Sequence, residues 1–117
     1  AMDSNQASFP FKVDEAKGFT VEQFTSEQLD RAAVMLKAMA HPARISILNL
    51  LNEGKKLTVT EIHEMLHMEQ SVASHHLGIL RDKGILSSKR EGKNTFYFIK
   101  NPGFLGIIEC INRCACL

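Results

Sequence analysis

A chain of 117 residues with 44% apolar and 23% charged side chains has room for one small core and keeps a large surface for its volume. No window approaches the run of about 18 apolar residues that a membrane span needs, and the N-terminus lacks a basic stretch followed by an apolar block, so a cytoplasmic location is expected. The net charge of +1 conceals an asymmetry: residues 1–40 carry four Lys/Arg and six Asp/Glu, whereas residues 71–100 carry six and two, which suits a polyanionic partner or, more plainly, a solvated basic face.

Residues 1–24 show no helical period, and they scatter Phe9, Phe11, Phe19 and Phe24 among polar residues, Pro10 and Gly18. They read as an arm, with the folded domain expected over 25–117. Thr25-Ser26-Glu27-Gln28 has the spacing of a capping box and opens a first helix with Leu29, Ala32, Ala33 and Leu36 on one face. His41-Pro42 ends it, because the residue before proline is pushed out of the helical region. Pro42 then suits the first turn of a second helix, whose Ile45, Ile47, Leu48 and Leu51 run to a stop at Gly54. Lys55-Lys56-Leu57 reads as a short bridge. Thr58-Val59-Thr60-Glu61 is a second capping box, opening a third helix with Ile62, Met65 and Leu66 inward.

The stretch from Gln70 to Asp82, QSVASHHLGILRD, organises the rest. At 100° per residue Val72, Ala73, His76, Leu77 and Leu80 gather on one side as a core stripe, and Ser71, Ser74, His75 and Gly78 gather on the other. An outer face of small hydrogen-bonding residues suits close approach to base edges better than it suits a solvated surface. Two short helices joined by a tight turn make a helix-turn-helix, which Gly84 closes. The period then changes to two: Ile85–Arg90 and Thr95–Ile99 read as strands flanking a Glu91-Gly92-Lys93-Asn94 turn. This hairpin is a wing whose Lys89, Arg90 and Lys93 could reach a phosphate backbone. Asn101-Pro102 opens a last helix with Phe104, Leu105, Ile107, Ile108 and Ile111. The expected architecture is mainly α with a small β-hairpin, a winged helix-turn-helix in the order α-α-α-α-β-β-α. The first and last helices are the expected homodimer interface, through Leu29, Ala33, Leu36, Phe104, Ile107, Ile108 and Ile111, because a two-fold pair would set two reading helices one DNA turn apart, roughly 34 Å.

In the segments KAMAHPARISILNLL (Lys37–Leu51), LTVTEIHEML (Leu57–Leu66), QSVASHHLGILRDKGIL (Gln70–Leu86) and SKREGKNTFYFI (Ser88–Ile99) the chain resembles the ArsR/SmtB family of winged-helix bacterial repressors. The Ser-x-x-Ser-x-His-Leu-x-x-Leu-Arg block followed by a basic wing is its most specific part. The resemblance implies a homodimer that occupies a double-stranded DNA operator and leaves when an effector, often a metal ion, binds. It implies contacts to DNA from Gln70, Ser71, Ser74 and His75, with wing contacts from Arg90 and Lys93. Two metal signatures of the family do not carry over: the third helix, Leu57–His67, has no Cys, and the last, Pro102–Cys116, has neither Asp nor His.

Other patterns compete for chemistry. His63-Glu64-Met65-Leu66-His67 spells H-E-x-x-H, a zinc hydrolase pattern, but it falls inside the helix-turn-helix, and a catalytic site needs a third ligand and a cleft that so short a domain scarcely provides. A regulator with no enzymatic activity is therefore expected. Cys110, Cys114 and Cys116 cluster at the end of the chain. Three thiolates suit a thiophilic ion such as As(III), Zn(II) or Cu(I), in a repressor released from its operator. Thiol oxidation, plain structural use, and a regulator of the same family with no metal or thiol effector remain the alternatives.

Overall fold

In the computed structural model, residues 24–115 are described. The expected arm lies outside these residues except for Phe24, and so does Cys116. The described residues fall into two units, divided between Asp30 and Arg31. In the first, Thr25 and Gln28 form the anticipated reciprocal cap: the Thr25 N–H donates to Gln28 Oε1 at 2.9 Å, and the Gln28 N–H to Thr25 Oγ1 at 3.1 Å. They open helix α1 (Ser26–Met39).

Extended backbone at His41 breaks the chain direction before Pro42, and the His41 imidazole caps α2 (Pro42–Leu50) by accepting the Ala43 N–H at 3.1 Å. The capping box at Thr58 and Glu61 is formed in both directions and starts α3 (Val59–Met65). Lys55-Lys56-Leu57 is more than a bridge: Leu57–Thr58 is a strand, β1, paired with Tyr97 and Phe96. Two residues are too few for alternation to show in a sequence. The wing, β2 (Leu86–Glu91) and β3 (Asn94–Ile99), is therefore part of a three-stranded antiparallel sheet in the order β1-β3-β2. Both wing strands reach one residue nearer the tip than expected, leaving Gly92 and Lys93 as the turn; Gly92, at φ 65°, takes the conformation a side chain would resist.

The helix between turn and wing, α4 (Gln70–Asp82), is sealed at its far end by a Schellman motif. The Gly84 N–H bonds to the Arg81 carbonyl and the Ile85 N–H to the Leu80 carbonyl, both at 3.0 Å, with Gly84 at φ 82°. Leu80 and Ile85, the apolar pair that accompanies such a motif, are both fully buried. Around them the core gathers Ala38 and Met39 of α1, Ile47 and Leu48 of α2 with Leu51 just after it, Ile62, Leu77, Leu86 and Ile108. Ile108 belongs to the last helix, α5 (Gly103–Ala115), whose first turn is held by Asn101 Oδ1 accepting the Gly103 N–H at 2.8 Å. The Asn112 amide donates to Asn49 Oδ1 at 3.1 Å, tying α5 to α2.

Three expectations change here. Met65 is not turned inward: at the last position of α3, next to the C-cap Leu66, it is 56% exposed. Val72 is not part of the core stripe: it is 40% exposed, since only Ala73, His76, Leu77 and Leu80 sit squarely on the inward arc of α4, and Val72 lies on its flank. Ile108 is 3% exposed and packs within its own chain, so it leaves the set of residues open to a partner, whereas Leu29, Leu36 and Ile107 are exposed and Ala33 also lies at the surface. Phe104 and Ile111 are half-buried. At a fixed protomer concentration, urea unfolding of Leu80→Ala should show a loss of about 2–5 kcal/mol, while Val72→Ala should lose less than about 1 kcal/mol; equal losses would return Val72 to the core.

Candidate nucleic-acid interface

The surface begins with the turn between α3 and α4. Residues 63–68 repeat the Schellman pattern, with the Met68 N–H on the His63 carbonyl at 3.0 Å and the His67 N–H on the Glu64 carbonyl at 3.3 Å. Here His67, not glycine, takes the left-handed conformation, φ 56°. His67 thus lies beyond the end of the helix that carries His63, and the His63 ring nitrogen Nδ1 is within 3.1 Å of the Met68 carbonyl. The H-E-x-x-H spacing is consequently not a pair of ligands one helical turn apart, and among the described residues no three His, Cys, Asp or Glu side chains cluster to hold an ion.

From this turn α4 projects Gln70, Ser71, Ser74 and His75 outward, all exposed, and Val72 joins them as an apolar member. Its N-cap, Glu69, makes no side-chain hydrogen bond to the helix, so the first backbone N–H groups keep their capacity for an external acceptor. The inner face is fixed by a polar junction within the apolar core. His76, 7% exposed, accepts on Nδ1 from Arg44 Nε at 3.2 Å, and the same guanidinium donates from Nη1 to the Ala38 carbonyl at 3.0 Å. The His41 ring lies 4.6 Å from that of His76, and the His75 ring 5.4 Å. One arginine thereby links the end of α1, the start of α2 and the middle of α4, which sequence periodicity could not foresee because the partners are 32 residues apart.

Burial pushes the His76 pKa down, and the neighbouring His41, Arg44 and His75 push it further the same way. The neutral ring is also the form whose Nδ1 can accept from Arg44. Because the folded value lies below the unfolded value of 6.5, the unfolded chain takes up the proton first as pH falls. The stabilisation is whole above about pH 6.5 and is lost below it.

In the wing, Lys89, Arg90 and Lys93 are exposed at or near the tip. They do not all lie on one face. Consecutive strand residues point to opposite faces, so Lys89 shares its face with Glu91, 3.8 Å away, while Arg90 lies on the other and donates from Nε to the Gly92 carbonyl at 3.1 Å. Arg90 and Lys93 keep charge that no carboxylate among the described residues offsets. At the far end of the chain, Cys110 and Cys114 are exposed on α5 with sulfurs 4.0 Å apart. The hydrogen bond to Cys110 and the proximity of its charge push the Cys114 pKa up.

Thermal unfolding should show a drop in Tm below about pH 6.5 that His76→Asn reduces, since an amide oxygen accepts from Arg44 without titrating. An unchanged pH profile in that variant would remove His76 from the account.

The profile described as bacterial regulatory protein, arsR family, matches residues 41–88. The transcriptional repressor PagR of Bacillus anthracis is 43% identical over 84 residues, covering 72% of this chain and 84% of PagR, and its crystal structure superposes with a TM-score of 0.69. The homodimeric winged helix-turn-helix DNA-binding domain Mb0332 of Mycobacterium bovis superposes with a TM-score of 0.70 at 28% identity, covering 82% of this chain and 90% of that one. The antimony-specific transcriptional repressor AntR does so at 0.68 and 28%, covering 81% and 85%. PagR and AntR are transcriptional repressors and Mb0332 is a possible ArsR-family transcriptional regulator; none is an enzyme. With the helix-turn-helix, the three-stranded wing and a relative of this identity over most of its length, the chain belongs to the arsR family of bacterial regulatory proteins.

Proposed function

We propose that the chain is a homodimeric, sequence-specific DNA-binding repressor. The observation that carries this reading is α4 itself: its inward arc is locked in the core while Gln70, Ser71, Ser74 and His75 stand exposed beside a hairpin bearing Arg90 and Lys93. Amide, hydroxyl and imidazole groups on the first two turns read base edges in a major groove, and the wing cations hold the phosphate backbone. Exposed Leu36 of α1 and Ile107 of α5 are apolar surface for a second copy, in keeping with the homodimeric relative.

The effector in this proposal is a thiophilic ion, As(III), Zn(II) or Cu(I), held by Cys110 and Cys114 with Cys116 as a third donor. Two thiolates on a tetrahedral ion at about 2.3 Å stand about 3.8 Å apart, close to the 4.0 Å of this pair. An intrahelical disulfide fits less well, because side chains one turn apart hold their Cβ atoms about 5–6 Å from each other and a disulfide needs about 3.5–4.5 Å. The antimony-specific relative supports a thiophilic effector. Binding releases the thiol protons, so affinity rises with pH.

Anisotropy titrations on a palindromic promoter fragment should show binding that weakens steeply with salt. Ser74→Ala with His75→Ala should cut discrimination against random DNA by about 1–3 kcal/mol per lost base contact, while Lys93→Gln should weaken both duplexes alike. If the two variants behave the same, the division between reading and positioning residues is wrong. Arsenite, Zn(II) or Cu(I) added to the complex should release DNA from the parent protein but not from Cys110→Ser/Cys114→Ser; release from both would dismiss the cysteine site and leave a regulator with another effector.

A further inference from the structure

Beside the Arg44–His76 junction lies a cavity of about 290 Å³, lined by Val34, Lys37 and Ala38 of α1, Arg44 of α2, Ile79 of α4 and Lys83, which caps α4. Its lining combines two properties. Every charged residue lining it is a cation, Lys37, Arg44 and Lys83, with no carboxylate among the lining residues. Its remaining walls, Val34, Ala38 and Ile79, are apolar. Among the described residues neither Lys37 nor Lys83 has an ion-pair partner. Arg44 spends two of its five N–H donors on His76 and the Ala38 carbonyl, which fixes the guanidinium plane and leaves three donors without a protein acceptor.

An apolar solute alone would leave the three cations without a counter-charge, and an anion alone would leave the apolar walls wet. We propose that this cavity binds a small organic acid, a carboxylate head between Lys37, Arg44 and Lys83 with a short apolar body on Val34, Ala38 and Ile79. The volume stands at the lower edge of the roughly 300–1,000 Å³ of small-molecule sites, which limits the body to a chain of about six to ten carbons or one aromatic ring. The apolar walls are what favour an organic acid over inorganic phosphate.

Occupancy reaches the DNA-facing helix by a direct route. The guanidinium that would meet the carboxylate is the one that donates to His76 on the inner face of α4, so a ligand that draws Arg44 toward itself weakens or redirects that bond. By reciprocity, a duplex that favours one setting of α4 changes affinity for the acid by the same factor. This second step rests on the DNA-binding reading above; the binding step does not. The site is distinct from the cysteine pair, since none of its lining residues belongs to α5.

The test uses the full chain, with octanoate as the probe and octanol, acetate and inorganic phosphate as controls. Isothermal titration should give saturable one-site binding of octanoate, with methyl NMR shifts centred on Val34, Ala38 and Ile79. The three controls should bind at least about tenfold more weakly, each lacking either the charge or the apolar body. Lys37→Gln/Lys83→Gln, both lysines being exposed, should keep the parent melting curve and lose octanoate affinity by about tenfold or more. Equal binding of octanol, an unchanged affinity in the double variant, or shifts centred on Leu36 and Ile107 would each overturn the site. Operator titrations with and without octanoate then separate the two claims. Octanoate binding in the cavity with DNA affinity altered less than twofold would end the coupling through Arg44, and octanoate binding by a protein that binds no duplex would end the regulator reading while leaving the site.

Discussion

Burial of the inner arc of α4 is the constraint on which the rest depends. Ala73, Leu77 and Leu80 are completely covered and His76 nearly so, and each packed methylene contributes about 0.8 kcal/mol, so a large roll of the helix would open the core. A reading surface needs such immobility. Side chains that discriminate bases must be presented within fractions of an ångström, and loops would not provide that. The Schellman closure at Gly84 and Ile85 works to the same end, because it turns the chain from the end of the helix straight into β2 with Ile85 already in the core.

The polar junction at His76 adds direction to this packing. Apolar contacts tolerate small rotations, whereas the Arg44 fork, holding Nδ1 of His76 and the carbonyl of Ala38, accepts few. An apolar residue at 76 would be the simpler way to fill the space, and it would leave the Arg44 Nε without its acceptor in a half-buried place. The fold therefore carries a hydrogen-bonded histidine where periodicity alone asks for a leucine.

Much of this was legible in the sequence because its signals are local. Thr25 with Gln28 and Thr58 with Glu61 are capping boxes whose two hydrogen bonds are closed by residues three apart, and both formed. His41-Pro42 and Gly84 act through their own backbone preferences, and the helix boundaries they mark are those observed. What escaped depends on partners far along the chain. Leu57–Thr58 becomes a strand only because β3, some 40 residues later, offers an edge to it. Val72 sits about 90° from the centre of the buried arc, where the helical wheel cannot say whether a neighbour covers it. The alternation that made the wing recognisable also separates Lys89 from Arg90, a consequence that a list of basic residues hides.

Thr58 has two duties at once. Its backbone pairs with Phe96 in the wing sheet, while its hydroxyl and N–H engage Glu61 at the start of α3. The hairpin and the helix pair are consequently joined directly at one residue. Whatever spacing separates the groove floor from the sugar-phosphate rail on a bound duplex, the protein brings a fixed calliper to it, and sequences that widen or narrow the groove cheaply gain an advantage that no side-chain contact confers.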